Sequence, residues 1–324
     1  MTGAVLSVKG LATEFQTREG ALRAVDGISF DLMPGQVMGL VGESGSGKSV
    51  TGYSIMGLID EPGRIVEGSI LYRGRELVGL TEAQWRHLRG DRIAMIFQDP
   101  MMTLNPVLRV DTQLIETIRA HRKMTRDAAR DQACRALEKV GIPAPQERLR
   151  AYPHQLSGGM RQRIAIAIAL LHEPEIIIAD EPTTALDVTI QAQILAEVQK
   201  LAREQGTALI WITHDLTVVA GLADTVAVMY GGQLVEQGRV VDVLDRPLHP
   251  YSAGLIASLP SSNVDARRLA QIPGMTPKLG EFPSGCAFRT RCSRATPACH
   301  AVPAVSSPAP GRTFRCFHPM EESR

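Results

Sequence analysis

The residues best suited to chemistry stand together at Gly42-Glu43-Ser44-Gly45-Ser46-Gly47-Lys48-Ser49, which fits G-x-x-x-x-G-K-[ST] at every position. Gly42, Gly45 and Gly47 let the backbone turn sharply and aim its N–H groups, Ser44 and Ser46 included, at phosphate oxygens, with the positive end of the following helix behind them. Lys48 adds a mobile positive charge, and the Ser49 hydroxyl is placed to ligate Mg²⁺. This is the equipment for holding the β- and γ-phosphates of a nucleotide.

Other residues could act on such a ligand. Asp180-Glu181 closes an apolar run: Asp180 is placed to bind Mg²⁺ through water and Glu181 to polarise an attacking water, although two adjacent acids at a strand end can also be solvated surface. Leu156-Ser157-Gly158-Gly159-Met160 opens a helix, which puts N–H groups at a helix N-terminus. Gln98 and His214 each follow an apolar run, and a single His at a strand end is as readily structural. Phe15, ahead of the loop, is either ordinary packing or a platform for a base.

The elements that must position these groups follow from hydrophobic pattern. Short apolar runs at 37–41, 93–97, 176–179, 208–213 and 225–230 suit buried strands, and the β-branched run at 176–179 suits a central parallel strand covered on both faces. Residues 5–35 read as short strands and turns, 68–72 as a strand and 81–88 as a polar helix. Thr125, Asp127, an apolar stripe of Ala129, Ala133, Leu137 and Val140, then Gly141 and Pro143, define one well-punctuated helix, with Cys134 a small core residue beside the stripe. The run 164–170 is apolar on every side, hence a buried helix, and a further helix spans 188–204. Alternating strands and helices imply an α/β fold, a mostly parallel sheet with helices on both faces. Of 20 prolines, 11 follow Arg246, so the end of the chain is turn-rich, and a boundary falls near residue 245.

A chain of 324 residues with 44% apolar content is globular, with room for about two domains. A net charge of +1, mixed along the chain, leaves no electrostatic footprint for nucleic acid. The first residues lack a secretory pattern, and the longest apolar run, 164–171, falls far short of the ~18 residues of a membrane span. The expectation is a cytosolic protein that meets a membrane only through a partner.

With the phosphate loop, Leu156-Ser157-Gly158-Gly159-Met160 and Asp180-Glu181 in this order, the chain resembles the ABC-type ATPases, whose LSGGQ signature stands here as LSGGM. The likeness covers about residues 5–245. It implies an ABC ATPase core over 1–245, with an antiparallel β N-terminal subdomain and a helical subdomain at about 99–168, followed by a Cys- and Pro-rich extension over 246–324. It further implies that Phe15 stacks on adenine and that Gln98 senses Mg²⁺ and the attacking water while coupling to a membrane partner. His214 would contact the γ-phosphate, and Asp187, in Ala185-Leu186-Asp187, would lie across a dimer interface. Ser157, Gly158 and Gly159 would grip ATP held by the other subunit.

A finer resemblance, to the ATP-binding subunits of dipeptide/oligopeptide (and nickel) importers, rests on residues 98–106 (QDPMMTLNP), 152–159 (YPHQLSGG) and 249–252 (HPYS) followed by 258–260 (SLP). It implies a second ATPase subunit, identical or different, two membrane permeases, a substrate-binding protein that chooses the cargo, and a place at the cytoplasmic face of the inner membrane. A nickel or other small-solute importer, a soluble non-transport ABC ATPase, and an iron-sensing tail stay open as alternatives. Related subunits carry a similar Cys-rich tail, which implies a [4Fe–4S] cluster on Cys286, Cys292, Cys299 and Cys316; unligated packing cysteines and zinc are the other readings.

Overall fold

The computed structural model describes residues 3–18, 20–183, 188–259 and 270–320. The chain forms two compact units, one of residues 1–5, 33–36 and 79–210, the other of residues 6–32, 37–78 and 211–324.

In the first unit, the fully buried strands Ile93–Ile96 and Ile176–Asp180 pair in parallel, Ile93 opposite Ile176 and Ile96 opposite Ala179. Continuous burial along both is what a parallel strand covered on two faces requires, and it carries the β-branched run straight to Asp180. The helices Val110–His121, Arg126–Lys139 and Gly158–Leu170 enclose a separate core that includes Leu114, Ile118, Ala133, Leu137 and Ile164. Thr125 caps the second of them, its hydroxyl accepting the Ala128 N–H at 3.3 Å, and Gly141 at φ +69° ends it. Ala129, Ala133 and Leu137 are fully buried, whereas Cys134 lies at the border of that core with its thiol toward Glu138.

In the second unit, Gly20–Leu32, Leu6–Thr17, Gly63–Tyr72 and Arg75–Glu76 form, in that spatial order, an antiparallel sheet. The first two strands are long where short ones were expected. Register shifts such as that between Val8 and Leu11, at Gly10 with φ +57°, break the alternation that would have shown their length. The strand Val37–Val41, buried throughout, pairs in parallel with Thr225–Tyr230, which turns through Gly231-Gly232 into the antiparallel Gln233–Arg239. The C-terminal residues add the strands Arg312–Phe314 and Ser306–Ala309 beside it. Glu236 ties this end together: its buried carboxylate accepts the N–H groups of Leu248 and His249 at 2.8 and 2.9 Å and meets Arg312 at 3.3 Å. Beyond residue 245 the one α-helix among the described residues is Pro250–Ala257, in keeping with the proline content.

Candidate functional site

The phosphate loop joins Val37–Val41 to the helix Lys48–Met56 in the second unit. Gly47 takes φ +103°, and a Cβ there would lie 2.4 Å from the Ala24 carbonyl oxygen; one on Gly42 would lie 2.2 Å from that of Met229. Both positions therefore demand glycine, for close approach as much as for conformation. Lys48 is buried and reaches back along the loop, its Nζ donating to the carbonyl oxygens of Gly42 at 2.8 Å and Glu43 at 2.9 Å, with Ser46 Oγ at 3.4 Å. The Ser46 carbonyl accepts the Gly232 N–H at 3.0 Å, which ties the loop to the turn after Thr225–Tyr230. Ser44 and Gly45 stand exposed at the tip, and Ser49 is in the first turn of the helix.

Asp180, Glu181, Gln98 and the signature turn belong to the first unit. Asp180 is 1% exposed at the end of its strand, so a surface carboxylate it is not. Glu181 takes φ +44°, left-handed backbone that a non-glycine side chain rarely adopts, and such strain is kept where geometry serves a purpose. Gln98, exposed just past the strand Ile93–Ile96, donates from Nε2 to Glu181 Oε2 at 3.4 Å. The structure thus brings together Glu181 and Gln98, the two residues expected to meet the attacking water. Ser157 caps the helix Gly158–Leu170, its hydroxyl accepting the Met160 N–H at 3.3 Å, and Ser157 and Gly158 are exposed. A groove of about 1010 Å³ opens beside that turn, lined in part by Ser157, Gly159 and Met160. Asp187 lies outside the described residues.

Phe15 lies on the strand Leu6–Thr17, half-buried, opposite Gly63, whose missing Cβ leaves room for its ring. His214, exposed, follows the strand Ala208–Thr213 and precedes Asp215, which caps the helix Leu216–Leu222 by accepting the Thr217 N–H at 2.8 Å. Cys286, Cys292, Cys299 and Cys316 all line one small cavity together with His249 and His318. Burial pushes the thiols of Cys286 and Cys292 up from their ordinary range and that of Cys316 to about 11. Among the described residues no group of three or more His, Cys, Asp or Glu is placed to hold a metal ion, so the iron–sulfur expectation gains no metal centre here.

Residues 25–184 match the family model described as ABC transporter, and residues 235–299 match that of the oligopeptide/dipeptide transporter C-terminal region. The chain is 47% identical over 319 residues to the oligopeptide transport ATP-binding protein OppD of Escherichia coli, covering 98% of this chain and 94% of that one. It is 49% identical over 312 residues to the dipeptide transport ATP-binding protein DppD of Bacillus subtilis, covering 96% and 91%.

The chain belongs to the ATP-binding proteins of ABC transporters, in the oligopeptide/dipeptide family.

The solved dimer of the ATP-binding cassette MJ0796 in a post-hydrolysis state with ADP and Pi shares this ABC ATPase fold, at TM-score 0.67 and 26% identity over 72% of this chain and 98% of that one. CbiO1 of Clostridium perfringens, part of the ABC transporter complex cbiONQ, superposes at TM-score 0.62 with 27% identity over 75% and 91%. No helix among the described residues is long and apolar enough to cross a membrane. One residue at the phosphate loop carries no signal of its own in the sequence: the Tyr251 hydroxyl accepts the N–H of Glu43 at 2.9 Å, and Tyr251 stands out in the sequence only as part of the stretch 249–252.

Proposed function

We propose that this chain is the ATP-hydrolysing subunit that energises peptide import, working as one of a pair beneath two membrane permeases at the cytoplasmic face of the membrane. The observation that carries the reading is the likeness to peptide-import ATP-binding proteins across almost the whole chain, C-terminal region included. The ATPase domain is taken as residues 1–245 and the peptide-importer extension as 246–324.

The loop Gly42, Ser44, Gly45, Ser46, Gly47, Lys48 and Ser49 would hold the phosphates of ATP, and Phe15 would stack on its base. Ser49, Gln98 and Asp180 would hold Mg²⁺, which when bound offsets the phosphate charge. Glu181 would take the proton of the attacking water, with Gln98, bonded to its carboxylate, setting its direction. His214 would contact the γ-phosphate. Ser157, Gly158 and Gly159 would serve the ATP of the partner subunit from their exposed turn, with Asp187 across the same interface. The test is reconstitution with the permease pair in proteoliposomes. ATP-dependent uptake of a labelled peptide, stimulated by peptide-loaded binding protein, is the expected result; hydrolysis without any response to peptide would count against the transport reading.

For the extension, the finer proposal is a [4Fe–4S] cluster on Cys286, Cys292, Cys299 and Cys316. Its support is that these four thiols, the donor set of such a cluster, face one cavity. Four iron and four sulfide per chain after anaerobic purification are expected. Four titratable thiols without iron would leave them as packing residues.

A further inference from the structure

Glu43 occupies a position that the phosphate-loop pattern leaves open. A carboxylate beside a polyphosphate site repels the ligand unless its charge is met. Here it is met from 248 positions away in the chain: Arg291 Nη1 donates to Glu43 Oε2 at 2.5 Å and Nη2 to Oε1 at 3.0 Å, a two-pronged fit of guanidinium to carboxylate. The Thr276 hydroxyl donates to Oε2 at 2.6 Å. Burial acts to raise the Glu43 pKa, but the hydrogen bonds from Arg291 and Thr276 and the charge of Arg291 outweigh it and hold the carboxyl below its ordinary range.

The rest of residue 43 is held as well. Its N–H donates to the Tyr251 hydroxyl at 2.9 Å, and its carbonyl accepts from Lys48 Nζ at 2.9 Å. Contacts made by the C-terminal residues on one side of Glu43 are therefore one peptide unit from the motif lysine. Arg291 is built in place: its side chain is 5% exposed, Nε donates to the Pro273 carbonyl at 2.9 Å, and Nη1 donates to Thr276 at 3.0 Å. The rings of Tyr230 and Phe288 lie 5.8 and 6.0 Å from its guanidinium carbon. A cation satisfied on this many sides does not move without cost, so it can fix whatever it grips.

We infer that Arg291 and Tyr251 are positioning residues of the ATP site: by gripping Glu43 they set the phosphate loop and Lys48, so that the segment between Cys286 and Cys292 governs ATP affinity. The inference rests on the reading of residues 42–49 as an ATP site. Because coupling is reciprocal, ATP on the loop in turn steadies that segment.

The test compares full-length variants by titration with a fluorescent ATP analogue and by KM and kcat for ATP. Arg291→Ala leaves a lone carboxylate by the phosphates and is expected to weaken ATP binding about tenfold with kcat within about twofold. Adding Glu43→Ala to it is expected to restore part of that affinity, and Tyr251→Phe, which changes no charge, to raise KM alone. Should Arg291→Ala not fold, Arg291→Lys, which keeps the charge and loses the fork, takes its place with the same expected direction. Unchanged affinity in Tyr251→Phe and in the Arg291 variant, or a fall in kcat at constant KM, would overturn the inference. Failure of the unsubstituted chain to bind ATP would instead remove the ATP reading beneath it.

Discussion

The phosphate loop and the signature turn are both glycine-rich entries to a helix, and the protein treats them in opposite ways. The loop is braced from within: Lys48 is buried on two carbonyls, Gly42 and Gly47 fit where no side chain can, and Glu43 is gripped through its N–H and its carboxylate. The signature turn is capped by its own Ser157 and otherwise stands open, with Gly158 exposed and a groove at its side. A ligand site that works within one chain can be completed by that chain, whereas a surface meant for a second subunit has to stay presented. The phosphate loop is thus tied to its surroundings at several points, whereas the signature turn holds only its own cap and is left open.

Glu181→Gln should have the largest effect. It would remove the group proposed to take a proton from water, so phosphate release should fall about 10²–10⁴-fold while ATP still binds the loop; undiminished release would take Glu181 out of the reaction. Gly42→Ala strikes the braced side. The new Cβ would meet the Met229 carbonyl oxygen at 2.2 Å, and chemical denaturation should show a loss of about 1–3 kcal/mol together with lost nucleotide binding.

Ser157→Ala tests the open side. Loss of the cap should cost about 1 kcal/mol in thermal unfolding, leave nucleotide binding by the same chain intact and reduce hydrolysis only in the assembled pair. Weakened nucleotide binding in the isolated chain would erase the contrast between the two motifs. The smallest effect concerns pH. Because the folded-state pKa of Glu43 is depressed, its contribution is complete above the ordinary carboxylate value of 4.5 and is lost as pH falls through the lower folded value. Stability measured against pH should therefore fall more steeply in acid for the unsubstituted chain than for Glu43→Gln.

Much of this was legible in one dimension. The phosphate loop, the acid pair and the signature turn are each contiguous, and the chemistry of each is set by residue type at fixed spacing. The strand ending on Asp180 announced itself by an unbroken β-branched run, and the helix Arg126–Lys139 by its cap, stripe and glycine stop. The strands Leu6–Thr17 and Gly20–Leu32 are longer than the sequence pattern predicts because their bulges shift the side-chain phase and erase the two-residue period.

What the sequence by itself determined, then, is that the chain carries a nucleotide cradle, a pair of acids and a signature turn in ABC order, since each is a local pattern that needs no partner to be recognised. What only the tertiary structure decided is how the cradle is held. Glu43 fills a position that its motif leaves open, and Arg291 lies 248 residues further on, among the cysteines near the C-terminus. An ion pair between them leaves no period, spacing or composition behind, because its two halves meet only when the chain has folded.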